Sequence, residues 1–169
     1  MPAIPSTARE VVYLAVHNKL PVRERLFRVG LVGDPYCSSC LEERGAMFGD
    51  LEHYFCTCEK VESIWQELRN ILCACLDLSV VNISNMDLIT LKYPKNANDL
   101  FCVWLVGNYM QFVWNTVHVQ GAHLKKEKVF GYLKFKYKAD QLGARPPLHS
   151  FFFYKKGVYK KPRLRMVQN

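Results

Sequence analysis

The sequence has no even set of cysteines, no unbroken apolar run of membrane length, and almost no acid in its last quarter. Each shortage closes off a class of protein. Seven cysteines cannot all pair, and the N-terminus does not read as a secretory signal, so a disulfide-framed secreted domain is not expected. A reducing setting, nucleus or cytoplasm, is expected instead. The longest apolar stretch, Leu100 to Trp114, is interrupted by Asn108 and Gln111 and is short of the ~20 residues a membrane span needs. It reads as a buried helix, and no membrane span is expected. Residues 125–169 carry thirteen Lys/Arg against two Asp/Glu, whereas residues 1–124 carry ten against thirteen. The net charge of +8 therefore belongs to one end of the chain. Such asymmetry suits a polyanionic partner, nucleic acid or an anionic membrane surface.

What is present is a core-forming composition. Half of the 169 residues are apolar, and a chain of this length can bury about 70% of its unfolded surface, so one domain is the default. The fold class expected is mostly α, stapled by a metal. Residues 1–78 would hold the N-terminal helices and a cysteine knuckle, 79–143 a helical extension, and 144–169 a basic aromatic tail.

The knuckle is the most informative stretch. Cys37-Ser38-Ser39-Cys40 is followed after twelve residues by His53-Tyr54-Phe55-Cys56-Thr57-Cys58. Two residues between Cys37 and Cys40 let a tight turn aim both sulfurs at one point, and a His and a Cys from a second element complete a four-coordinate Zn²⁺ site. The expected ligands are Cys37, Cys40, His53 and Cys58, with Cys56 as a competitor for the fourth position. A His-x4-Cys pair converges across a helix start more easily than His53 with Cys56. Four protein ligands leave no place for substrate, so the site would hold structure. Buried free thiols around a satisfied core histidine are the plainer alternative. A catalytic zinc of the deaminase kind is suggested by Pro35-Tyr36-Cys37-Ser38-Ser39-Cys40 but needs an upstream His-x-Glu. His17 is followed by Asn18 and Lys19, which removes that reading, and no other set of acid, base and nucleophile is in view.

Helices are expected on both sides of the knuckle. Thr7-Ala8-Arg9-Glu10 reads as a capping box opening a helix over about residues 8–19. Pro21 suits the first turn of the next, which Gly30 should end. That helix carries Arg23, Arg25 and Arg28, either solvated or available to phosphate. Gly33-Asp34-Pro35 turns the chain into the knuckle, and Arg44 to Asp50 reads as an open loop. Val61, Ile64, Trp65, Leu68, Ile71, Leu72 and Cys75 recur at three and four residues, one apolar stripe over about 59–76. Cys73 and Cys75 read as small core residues, with a second metal shared with Cys56 as the other possibility. Ser84 or Asn85 caps a brief helix over Met86 to Leu91, and a long buried helix covers about 97–118.

The last helix, about 123–141, interleaves Val129, Phe130, Tyr132, Leu133, Phe135 and Tyr137 with Lys125, Lys126, Lys128, Lys134, Lys136 and Lys138. Lysines at this density neutralise phosphates and aromatic rings stack on unpaired bases; an ordinary amphipathic helix has the same composition. The mixture continues without helical period through Arg145, Lys155, Lys156, Lys160, Lys161, Arg163 and Arg165, which favours a nucleic-acid interface ordered by its partner. Lys160-Lys161-Pro162-Arg163 also has the form of a nuclear import signal.

Asn18 to Arg28, Cys37-x2-Cys40, Glu52-His53-Tyr54-Phe55-x2-Cys58 and Ile64-Trp65 together resemble the zinc-binding region that follows the polymerase domain of non-LTR retrotransposon reverse transcriptases. Trp104 to Tyr109 and Tyr132-Leu133-Lys134 resemble the C-terminal extension of such elements more loosely. The resemblance implies metal ligation at Cys37, Cys40, His53 and Cys58, and binding of element RNA or target DNA during target-primed reverse transcription. No paired-aspartate polymerase motif or endonuclease constellation precedes the knuckle, so the chain is expected to be the non-catalytic C-terminal piece, excised or host-adopted. A protein-interaction scaffold using the aromatic basic tail is the rival.

Overall fold

A computed structural model of the chain describes residues 6–40, 45–76, 83–92, 99–119 and 124–141. It is mostly helical, with no strand among the described residues. The helices are α1 (Ser6–Val16), α2 (Arg23–Arg28), α3 (Glu62–Leu76), α4 (Asn85–Ile89), α5 (Asp99–Val113) and α6 (Lys126–Gln141). Two π-helical stretches accompany them, His53–Thr57 ahead of α3 and Trp114–Val119 continuing α5. None of the described helices is long and apolar enough to cross a membrane.

The core is built around α5, which packs against α1, α3 and α6. Its sequence is apolar on every side because every side is covered: Phe101, Cys102, Trp104, Leu105, Val106, Tyr109, Met110 and Val113 are all buried. A helix with no polar stripe belongs in the middle of a protein. The α3 stripe behaves as its spacing predicts, burying Ile64, Trp65, Leu68, Leu72 and Cys75, with Val61 buried just ahead. Trp65 lies against the Tyr109 ring, centroids 5.6 Å apart. The same apolar cluster runs from Val11 on α1 to Leu133 on α6, so the N-terminal helices and the helical extension share one core.

Helix ends are set by local chemistry. At the end of α1, Asn18 adopts φ +50°; its N–H reaches the Ala15 carbonyl at 2.9 Å, and the Lys19 N–H reaches that of Leu14 at 2.6 Å. Gly30, φ +76°, closes α2 in the same way, with Gly30 N–H to Phe27 O and Leu31 N–H to Leu26 O, both 2.9 Å. These paired bonds satisfy carbonyls a helix end would otherwise leave open. Ser84 caps α4, its hydroxyl accepting from the Asp87 N–H at 3.0 Å.

Three expectations are corrected. α1 begins at Ser6, so Thr7 stands inside the first turn and does not cap it. Pro21 lies ahead of α2, whose N-cap is Val22 in an extended conformation. Leu20 and Val22 are both buried, and anchoring these two side chains in the core pulls the backbone out of helix at Pro21. The helix expected over 97–118 is α-helical only to Val113.

Candidate metal centre

Cys37, Cys40, His53 and Cys58 converge into one buried cluster that can hold a metal ion, their ligand atoms all within 4.8 Å of one another. Each half of the cluster has its own local cause. Asp34 Oδ1 accepts from the Tyr36 N–H at 3.0 Å, which turns the chain into the knuckle. An antiparallel bridge then pairs Tyr36 with Phe48, with Gly49 N–H to Pro35 O and Cys37 N–H to Met47 O both at 2.8 Å. The segment expected as an open loop therefore clamps the knuckle at its Met47–Gly49 end. Gly49 is needed there: a Cβ would come within 3.0 Å of the Tyr54 ring, 3.1 Å of Arg23 Cβ and 3.3 Å of the Pro35 carbonyl. A tight turn, Cys40 N–H to Cys37 O at 3.2 Å, brings the first two sulfurs together.

The second half is the π-helical turn. Asp50 caps it, Oδ1 accepting from the His53 N–H at 2.7 Å. The Cys58 N–H then bonds the His53 carbonyl at 2.7 Å, spanning five residues where an α-helix spans four. In an α-helix residues five apart would point about 140° away from each other. The widened turn brings Cys58 back over His53. His53 Nε2 lies 3.4 Å from Cys40 Sγ, and Cys40 Sγ lies 3.6 Å from Cys58 Sγ. On the other side of the ring, Nδ1 faces Thr57 Oγ1 at 3.4 Å, a contact that holds the ring orientation and leaves Nε2 turned toward the sulfurs. Cys56 is buried but outside the cluster; Cys58 occupies the fourth position. Cys56, Cys73 and Cys75 do not form a second cluster among the described residues.

The electrostatics are those of a site short of positive charge. The Cys58 side chain, hydrogen-bonded to Cys37, holds the Cys37 thiol far below its ordinary value, at about 3, against the opposing cost of burial; His53 and the N–H groups of Cys40 and Ser39 add to the effect. The same hydrogen bond, then burial, pushes Cys58 up, and burial pushes Cys40 up. One thiolate is stabilised by its neighbours, and a cation placed among the three sulfurs would favour ionising the other two.

The centre is tied to the rest of the fold by polar bonds. The Tyr109 hydroxyl of α5 donates to the Phe55 carbonyl at 2.7 Å, bonding a carbonyl in the middle of the π-turn. Glu52, one residue before that turn, accepts from Asn85 Nδ2 at 3.0 Å, and Asn85 Oδ1 accepts from Trp65 Nε1 and Arg69 Nη1, both at 2.9 Å. Asp50 and Thr57 were not singled out in the sequence, although an Asp three residues before His53 and a Thr four after it are the spacings for a cap and a ring contact.

The basic residues of α2, of α6 and of the C-terminal stretch differ in their surroundings. The α2 arginines all have partners within the chain: Arg23 with Asp34 at 2.8 Å, Arg28 with Glu24, and Arg25 with the Asn18 carbonyl. On α6, Lys126 pairs with Glu67 of α3 and Lys136 with Asp140 at 3.4 Å, while Lys128, Lys134 and Lys138 are exposed, as is Lys125 just ahead of the helix. Arg145, Lys155, Lys156, Lys160, Lys161, Arg163 and Arg165 lie outside the described residues. Comparison with known proteins finds no matching family model, no matching curated protein and no matching solved structure.

Proposed function

We propose that the chain is a zinc-stapled, non-catalytic module that binds nucleic acid through its basic C-terminal end. The observation that carries the metal half is the convergence of three sulfurs and Nε2 in one buried cluster. Tetrahedral zinc with Zn–S about 2.3 Å sets S···S edges of about 3.8 Å and S···N edges of about 3.6 Å. The 3.6 Å between Cys40 and Cys58 Sγ and the 3.4 Å from Cys40 Sγ to His53 Nε2 are close to those edges. Thiolate-rich, four-ligand sites with N–H groups aimed at sulfur suit Zn²⁺ in a structural role, with no position left for substrate.

The nucleic-acid half is supported by charge. Thirteen of the 23 Lys/Arg lie in residues 125–169, and the lysines exposed on α6 are held on a helix whose other side is fixed in the core. The motif order shared with retrotransposon reverse transcriptases is consistent with element RNA or target DNA as the ligand. Two measurements test the proposal. Purified protein should contain one zinc per chain and the Cys37→Ser variant none; equal metal in both dismisses the staple. Binding to RNA or DNA should weaken with salt by about 0.7–0.9 log units per log unit of salt for each phosphate neutralised. Binding that survives high salt and nuclease belongs to a protein partner and overturns the nucleic-acid half.

A further inference from the structure

The six lysines of residues 125–138 are not equivalent once α6 is seen in place. At about 100° per residue, Lys128, Gly131, Lys134, Phe135 and Lys138 fall within about 120° of helix surface. On the other side, Val129 and Leu133 are fully buried and Asp140 accepts from Trp104 Nε1 at 2.9 Å. The helix cannot roll without breaking that packing, so the outward face is fixed. On this face Phe135 is 71% exposed, while the other aromatic residues of α6, Phe130, Tyr132 and Tyr137, are partly buried against the core.

We infer that this face of α6 takes an unpaired nucleic-acid strand, one base stacking on Phe135 while Lys128, Lys134 and Lys138 neutralise the phosphates beside it. The inference rests on the nucleic-acid reading above and narrows it to single strands. Helical side chains lie over the turn N-terminal to their own Cα, which for Phe135 is the turn of Gly131. Gly131 has no side chain, and a Cβ built there meets nothing within 4 Å. Packing therefore does not require glycine at this place, and its effect is to leave the ring uncovered. Lys134 and Lys138 stand one turn apart, about 6 Å along the axis, and neither has an ion-pair partner among the described residues. The one acid on the arc, Glu127, is two turns before Lys134. A duplex keeps its bases stacked on each other, so it would engage the lysines and leave the ring idle; an unpaired strand offers a π-face to the ring and phosphates to the ammonium groups.

The test is fluorescence anisotropy of the full chain with labelled single-stranded and duplex oligonucleotides of one sequence, across a salt series. Phe135→Ala and Phe135→Leu should weaken single-strand binding by about 5- to 150-fold, the range for losing one stacked base, and leave duplex binding and the salt slope unchanged. Phe135→Trp should retain binding. Lys134→Ala should instead weaken both ligands and flatten the single-strand salt slope by about 0.7. Because Phe135 is outside the core, circular dichroism should find these variants folded. Equal effects of Phe135→Ala on the two ligands, or none on either, would overturn the stacking role while leaving the nucleic-acid reading standing. Failure of the unaltered chain to bind either ligand at low salt overturns both.

Discussion

Replacing Tyr109 by Phe removes one oxygen from the middle of the protein and should loosen the metal centre without touching a ligand. The hydroxyl donates to the Phe55 carbonyl at 2.7 Å, and burial holds the phenol well above its ordinary pKa, so it remains a donor at any working pH. Without it the Phe55 carbonyl loses a fully buried partner, at a cost of about 1–3 kcal/mol. The ring itself should stay, since it packs against Trp65 and Phe fills the same space. For a chain of this length, about 1–3 kcal/mol lowers Tm by roughly 2–12 °C. The π-turn between His53 and Cys58 is held on one side by the Asp50 cap and on the other by this bond. Metal affinity should therefore fall along with stability, by up to about 150-fold if the whole cost falls on the metal-bound form. Thermal melts followed by circular dichroism, and competition with a chromophoric chelator, read the two quantities separately. A variant whose Tm and chelator competition both match the unaltered protein would refute the claim that α5 holds the turn between His53 and Cys58 in place.

Two other substitutions separate neighbouring residues with opposite roles. Cys56→Ala should keep one metal per chain and Cys58→Ala should lose it, because only Cys58 is in the cluster; metal analysis after gel filtration decides, and loss in both variants would return Cys56 to the ligand set. Gly49→Ala should destabilise by about 1–3 kcal/mol through overpacking, since the added carbon meets Tyr54, Arg23 and Pro35. Gly131→Ala should stabilise by about 0.5–1 kcal/mol, the helix-interior difference between these residues, since its added carbon meets nothing; urea denaturation of the pair should give shifts of opposite sign.

Where the chain was legible, one period dominated. The α3 stripe repeats every three and four residues over four turns and has a single consistent burial, and α5, apolar for most of its length with no polar stripe, has room only at the centre. The four residues of the cluster were legible from spacing, because Cys-x2-Cys suits a tight turn and His-x4-Cys suits a pair aimed one way. The π-helical turn that aims it was not, since it differs from an α-helix by one hydrogen bond and leaves no mark in composition. The clamp at Met47–Gly49 was also hidden: a pairing of so few residues has no periodicity, and Asp50 stands at the end of a stretch whose composition is that of a loop. In α2 the chemistry of Arg23, Arg25 and Arg28 was visible but its direction was not. Only the i, i+4 pair Glu24–Arg28 could be read from spacing, while Asp34 and the Asn18 carbonyl come to the other two through turns.

The basic helix is the most instructive case. Lys134-Phe135-Lys136-Tyr137-Lys138 alternates with a period of two, the pattern of a half-buried strand, and laid on a helix it scatters both residue types around the axis. Composition alone cannot then say which rings are core and which face outward. Burial decides it, because α6 is anchored by Val129 and Leu133 and by the bond between Trp104 and Asp140. That anchoring sends Tyr137 inward, within 5.4 Å of the Trp104 ring, and Phe135 outward. Two aromatic residues separated by a single lysine thus acquire different physical roles. Tyr137→Ala should cost stability through lost core packing, whereas Phe135→Ala should leave stability near its starting value and act on ligand affinity. A melt in which the Phe135 variant falls as far as the Tyr137 variant would mean that α6 is rotated from this orientation, and the lysine face would have to be reassigned with it.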